Sequence, residues 1–381
     1  MKTPHEVVVK QWFAEPLPHA VRQSLDRLRR TDDVHRIAVM PDVHLAEDVC
    51  IGTVVATTRL LYPDAVGGDI GCGMSTVRFN GQAALLSDEQ TAAKVLHGLA
   101  GIVPSIRHGS GGLNREIPEY LRDLPLSDPA LERLKKRDAR VQLGTLGRGN
   151  HFLELQTDEE GNLWLMVHSG SRMMGGAIRN HHLRNATRSA TGFLYVDSDT
   201  RYGRDYLQDM CWALQYAEEN RQEMIRSTVR MVEDVFGITA DWSSAVSCHH
   251  NHVRQEMCEG VLCWVHRKGA IGAGYGVPGI IPGSMGTASY HVEGRGHEAS
   301  LQSSSHGAGR VMSRGHAYRT IGIDQLKREM KGVWFDQRHI AHLRDEAPSA
   351  YKDITRVMRA QRELTKILRV LRPVLSYKAV S

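Results

Sequence analysis

Short runs of consecutive apolar, β-branched residues that stop at polar positions recur along the chain: RIAVM (36 to 40), IGTVVATT (51 to 58), LWLMVH (163 to 168) and VLCWVH (261 to 266). Each reads as a buried strand that delivers a polar side chain to the end of a sheet. A different period governs 205 to 237, where apolar residues return every three or four positions and charges fill the other face. That spacing predicts a long amphipathic helix, its Met and Trp residues packed in the core. A second amphipathic stretch, 349 to 371, carries an arginine-rich face that reads as solvated. Between them GAGYGVPGIIPGSMG (272 to 286) is too rich in Gly and Pro for the interior of a helix or strand. Loops of that kind turn N–H groups into concave nests for phosphate, although the P-loop spacing is missing. The expected fold is α/β of the mixed α+β kind, a central β core surrounded by helices. With no repeat, low-complexity tract or linker, 1–381 reads as a single domain.

Composition changes this picture little. The 381 residues are 41% hydrophobic and 24% charged, which is ordinary for a globular chain with a sizeable core. A net charge of +5 permits an anionic partner without demanding one. No apolar targeting region follows Lys2 and no apolar run reaches membrane-spanning length, so a cytoplasmic protein with no membrane partner is expected. The six cysteines form no CxxC pair, which argues against a disulfide framework and a zinc ribbon.

Histidine stands out, with 20 residues, many in tight polar contexts such as GNHFLEL, VHSGSR and SCHHNHV. In GGDIGCGM, Asp69 and Cys72 are three apart in a glycine-bounded turn. A carboxylate and a thiolate there can face one ion, or the pair is a turn-capping aspartate beside a buried cysteine. Adding His151, His168 and His250, each beside a strand end or turn, makes a donor set large enough for two metals sharing a ligand. In SSSHGAGR, His306 is set against glycines that leave room for another molecule to approach its ring.

MPDVH, DIGCGM, GNHFLEL, VHSGSR, CHHN, RKGA, IPGSMGTASY, SHGAGR and EAPSAYKD follow one another in the order found in the RtcB family of RNA ligases, which the chain resembles from about residue 36 onward. The resemblance implies GTP- and manganese-dependent joining of RNA 2′,3′-cyclic phosphate or 3′-phosphate ends to 5′-hydroxyl ends, in RNA repair or tRNA splicing. It makes His306 the nucleophile that carries GMP. Asp69, Cys72, His151, His168 and His250 become ligands of two Mn²⁺ ions, with Cys72 bridging. GTP is expected against Asn150, His151, Glu154, His250, Asn251, Pro282, Gly283, Ser284, Met285, Ser289, His306, Gly307, Ala308, Gly309 and Lys378. Arg172 and Arg310 are expected on RNA phosphates. The implied partner is a broken tRNA or rRNA, and the protein is expected to act as a monomer.

The chain departs from the family pattern after MPDVH, where LAEDVCIG brings Ala46, Glu47 and Asp48 in place of a glycine-rich segment. That change leaves every expected ligand in place and bears on substrate choice. Two other readings compete. A metal-dependent RNA-end phosphodiesterase or phosphatase needs the ligands but neither His306 nor Lys378, and a guanine-nucleotide-binding repair subunit needs no chemistry at all.

Overall fold

The computed structural model describes residues 7 to 108 and 116 to 378; the first six residues of the N-terminal stretch read above lie outside it. Two sheets carry the architecture. One has five strands in the order Val8–Gln11, Val34–His44, Ile51–Thr57, Val261–Lys268, Asn251–Cys258. The other has seven, in the order Ala240–His249, Gly73–Gln82, Asn162–Ser169, Phe152–Thr157, Thr365–Tyr377, Ser289–Gly294, Pro278–Ile281. Its edge strands, Ala240–His249 and Pro278–Ile281, come against each other, so the sheet curls toward a barrel. All four apolar runs are strands of these sheets, because a run buried on both sides satisfies its backbone only in a ladder.

The long helix spans Arg201–Phe236, one turn more at its start than the periodicity indicates. The Thr200 hydroxyl caps it by accepting from the Gly203 N–H, and Gly237 ends it at φ 67°. Met224, Ile225, Val229 and Val232 pack on the seven-stranded sheet, while Trp212 stacks on Tyr216 in a second cluster.

Two expectations need correction. Only Ile354–Ala360 of the stretch 349 to 371 is α-helical; Thr365–Tyr377 is a strand between Phe152–Thr157 and Ser289–Gly294. The ladder offered on both sides outweighs a helical propensity of a few tenths of a kcal/mol per residue. Within the glycine-rich segment, Pro278–Ile281 is also a strand, tolerated because an edge strand can begin with proline. Asp48 docks its loop by accepting from Arg179 (2.8 Å), whose guanidinium also holds Asp64. Among the described residues no helix is long and apolar enough to cross a membrane.

Candidate active site

Strand register brings the expected ligands to one place. Gly73 pairs with Ser169, Phe152 with His168, and His249 with Gly73. Because these strands are antiparallel, the start of one meets the end of the next, so Cys72, His151, His168 and His250 gather at one end of the seven-stranded sheet. His250 occupies the crossover at which the chain leaves that sheet at His249 and enters the other at Asn251. Its N–H donates to the Cys72 carbonyl, and the Gly71 N–H to the Asn251 carbonyl, tying the crossover to the Asp69–Cys72 turn.

Cys72, His168 and His250 offer donor atoms close enough for one ion, and Asp69, Cys72 and His151 for another. Cys72 belongs to both groups. Its Sγ lies 3.2 Å from His168 Nε2 and 3.4 Å from His151 Nε2, and His168 Nε2 is 3.4 Å from His250 Nε2. His168 donates its Nδ1–H to the Asn150 carbonyl (3.1 Å), which turns the Nε2 lone pair into the cluster. Burial, reinforced by neighbouring imidazoles, holds His168 and His250 well below the ordinary histidine range, so both are neutral donors. Burial and the Asp69 charge push the Cys72 thiol up, so a thiolate here needs a cation. Burial opposes the Asp69 charge as well, but His151 beside it (2.9 Å) brings the carboxyl below its usual range. Neutral imidazoles, a carboxylate and a thiol that only a cation can ionise fit a divalent metal pair sharing sulfur.

His306 stands next to this cluster, its ring 4.7 Å centroid to centroid from that of His250. Asp42, fully buried, accepts from His306 Nδ1 at 2.7 Å and from the His306 N–H at 3.2 Å. The proton is thereby held on Nδ1, and Nε2 is left with its lone pair. A Cβ at Gly309 would sit on the Asp42 carbonyl oxygen, and the residue has φ 76°, so glycine is required for the turn to close on Asp42. Buried Lys352 completes the clamp: its ammonium donates to the Pro41 and Val43 carbonyls (3.0 and 2.8 Å) and its N–H to the Gly309 carbonyl.

A cavity of about 260 Å³ opens over His306. Asn150, Phe152, His168, the Pro282 to Met285 loop and Gly307 to Arg310 line it, with Arg314, Glu346, Tyr351 and Lys378 at its end. Glu346 is the charge centre there, paired with Lys378 (2.5 Å), Arg310 (3.2 Å) and Arg314. Burial works against its charge, but the three cations bring it down to about 2. Arg314 also meets Asp345 (2.7 Å), so three cations face two carboxylates and one positive charge is left over, which suits an anionic ligand.

With this geometry in view, the likeness to known proteins is decisive. The family model described as tRNA-splicing ligase RtcB matches residues 25 to 379. The chain belongs to the RtcB family of ligases. It is 36% identical over 408 residues to RNA-splicing ligase RtcB1 of Escherichia coli, covering 99% of this chain and 98% of that protein. It is 35% identical to RNA-splicing ligase RtcB of Escherichia coli K12, with the same coverage, and 32% identical to tRNA-splicing ligase RtcB of Archaeoglobus fulgidus, covering 88% and 86%.

Not every residue expected at the RtcB nucleotide site reaches the cavity wall. Asn251 is spent on the scaffold, donating to the Asp69 carbonyl and accepting from the Gly269 N–H. The Ser289 hydroxyl accepts from the Gly283 N–H and so supports the loop rather than lining it. Glu154 is buried deeper along its strand, held by Gln156 and Ser376, and burial raises it to about 7. Asn150 precedes that strand, which begins at Phe152. Arg172 lies beside Thr145 and His151 at φ 57°, and Arg310 is engaged with Glu346, Tyr351 and the Met312 and Asp345 carbonyls. Sequence reasoning assigned no role to Asp42, Lys352 or Glu346. Their signal lies in MPDVH, which supplies Asp42, and in EAPSAYKD, which supplies Glu346 and Lys352.

Proposed function

We propose that this chain is a GTP- and Mn²⁺-dependent RNA ligase, one catalytic unit over 1–381, that joins a 2′,3′-cyclic phosphate or 3′-phosphate end to a 5′-hydroxyl end. The observation that carries the reading is His306, its Nε2 lone pair freed by Asp42, on the wall of a cation-rich cavity beside a donor cluster. A metal-dependent phosphodiesterase, in which an activated water attacks, does not require such an imidazole.

In the first step His306 Nε2 attacks the α-phosphorus of GTP; the N–P bond forms, the bond to the β-phosphate oxygen breaks, and pyrophosphate leaves. Asp42 holds the Nδ1 proton and balances the charge that develops on the ring. Gly307 and Gly309 keep the approach to Nε2 open, and the Pro282 to Met285 loop with Lys378 orients the guanosine. An oxygen of the RNA 3′-phosphate then displaces His306 from phosphorus, giving an RNA end capped through a diphosphate to guanosine. The 5′-hydroxyl oxygen attacks the RNA phosphorus, GMP departs, and its proton passes to solvent or a nearby base. Asp69, Cys72, His151, His168 and His250 would hold the manganese ions, which when bound supply Lewis-acid neutralisation of phosphate oxygens and an activated water for opening a cyclic phosphate.

The deciding experiment is incubation with Mn²⁺, α-labelled GTP and a broken RNA bearing 2′,3′-cyclic phosphate and 5′-hydroxyl ends. Label retained on the protein in alkali and lost in mild acid, together with sealed RNA, is expected. Hydrolysed ends without label or sealing would overturn the reading in favour of a phosphodiesterase.

A further inference from the structure

The two arginines expected on RNA are held by the fold: Arg310 by Glu346, Tyr351 and main-chain carbonyls, and Arg172, through two of its donors, by Thr145 and His151. We propose that the RNA strand instead lies in a second groove, with Arg254 on a backbone phosphate and Tyr275 stacked on a base. This deepens, and rests on, the reading of the chain as an RNA ligase. The groove has a volume of about 310 Å³ and shares no wall residue with the nucleotide cavity.

Its position relative to the chemistry is set by the crossover. Cys248 and His249, immediately before His250, form one wall, and His249 Nδ1 lies 3.1 Å from the Gly71 carbonyl in the Asp69–Cys72 turn. The opposite wall is one face of the strand Asn251–Cys258, whose alternate residues His252, Arg254 and Glu256 all line the groove. A strand of RNA held here runs past the turn and the crossover that together bear three expected ligands, Asp69, Cys72 and His250.

The groove's polar groups are matched in a way that leaves anion-receptive ones over. Arg267 is buried, and its donors go to Glu256 (2.5 and 2.8 Å), the Ser303 hydroxyl, the Leu301 carbonyl and His252 Nε2 (3.4 Å). Its charge is therefore cancelled. Because Arg267 donates to Nε2, the His252 proton resides on Nδ1, a buried donor with no partner among the described residues. Arg254 is exposed and makes no ion pair among the described residues, so the groove keeps one unmatched cation. Gln302 joins the wall from φ 46°, directly after Leu301 at φ 54°. Two successive left-handed residues without glycine are costly, and such strain persists where a side chain must be aimed.

Tyr275 supplies the ring. It sits between Gly274 and Val277, both on the groove wall, and is 89% exposed. An aromatic side chain held out in water gains nothing by burial in its own fold. An unmatched cation on the groove wall and a ring exposed between two wall residues are the kinds of group by which proteins hold single-stranded nucleic acid without reading its sequence. A neighbouring cavity that shares Pro278 lacks this property, since its arginines Arg78 and Arg369 are matched by Asp241 (2.6 Å) and Asp158 (3.5 Å).

The test uses the full chain and a short single-stranded RNA with a 5′-hydroxyl, its binding followed by fluorescence anisotropy over a salt series. Tyr275→Ala is expected to weaken binding roughly tenfold and Tyr275→Phe to leave it near wild type. Arg254→Ala is expected to weaken binding and to reduce the salt slope by about 0.7, the loss of one single-strand phosphate contact. Both side chains are exposed, so melting temperature and labelling of the protein by GTP should stay as in wild type. Wild-type RNA affinity and slope in both alanine variants would overturn the groove while leaving GTP labelling, and with it the ligase reading, intact. Loss of RNA affinity in a protein that GTP never labels would keep the groove and overturn the ligase reading instead.

Discussion

One carboxylate oxygen of Asp42 accepts both the ring Nδ1–H and the main-chain N–H of His306, across 264 positions of sequence. Two bonds to a single oxygen fix the position of the residue and the tautomer of its ring at once. The other oxygen of Asp42 is buried without a partner among the described residues, so the carboxylate is committed to this one task.

Asp42→Asn separates geometry from tautomer. The amide removes the negative charge that balances the ring as it attacks GTP, and an amide NH₂ turned toward Nδ1 would in addition drive the proton to Nε2. Labelling of the protein by α-labelled GTP should fall roughly 10³-fold or more, by analogy with tautomer reversal in other Asp–His pairs. Sealing of an RNA end already activated with GMP should persist, and equal loss in both assays would show that Asp42 supports the whole site instead.

The shared position of Cys72 predicts metal stoichiometry. Cys72→Ala removes a donor from both groups and should lose both ions, whereas His151→Ala weakens only the group with Asp69. Elemental analysis of metal-loaded variants measures this directly. One tightly held ion remaining in Cys72→Ala contradicts a bridging thiolate.

Two glycines of one turn should differ sharply. At Gly309 a methyl group collides with the Asp42 carbonyl and the backbone is left-handed, while at Gly307 φ lies outside that region and the nearest atom, the Pro282 oxygen, is 3.3 Å from a Cβ. Gly309→Ala should lower the melting temperature by several degrees, corresponding to about 1–2 kcal/mol of left-handed strain plus the clash. Gly307→Ala should melt close to wild type. Similar melting temperatures would show that the turn relaxes away from Asp42.

Glu154 predicts a pH dependence. Its carboxyl is raised by burial from 4.5 to about 7, so the folded protein keeps a proton that the unfolded chain releases. The contribution of this group is full below pH 4.5 and is lost as pH rises through 7. Denaturation of wild type and Glu154→Gln on both sides of that window should show the variant gaining, at the alkaline end, up to roughly 3 kcal/mol relative to wild type. A constant difference between the two proteins across the window would place the Glu154 carboxyl at an ordinary value.

By itself the sequence determined the four apolar strands, the long helix from near residue 205 to Gly237, and the chemical types that crowd the site. Periodicity and donor chemistry are properties of neighbouring residues, and Cys72 or His168 is legible wherever the chain folds. It also carried family membership, because the order of many short motifs survives without knowledge of contacts. Tertiary structure alone decided that Thr365–Tyr377 is a strand, since two waiting ladders outweigh a local helical preference. It alone joined Asp42 to His306 and clamped their two segments together with Lys352, and it turned Arg310 inward to Glu346 while leaving Arg254 unmatched. A cation's role depends on which carboxylate lies within a few ångströms of it, and for Arg310 that partner, Glu346, lies 36 positions on in a segment that only the folded chain brings back.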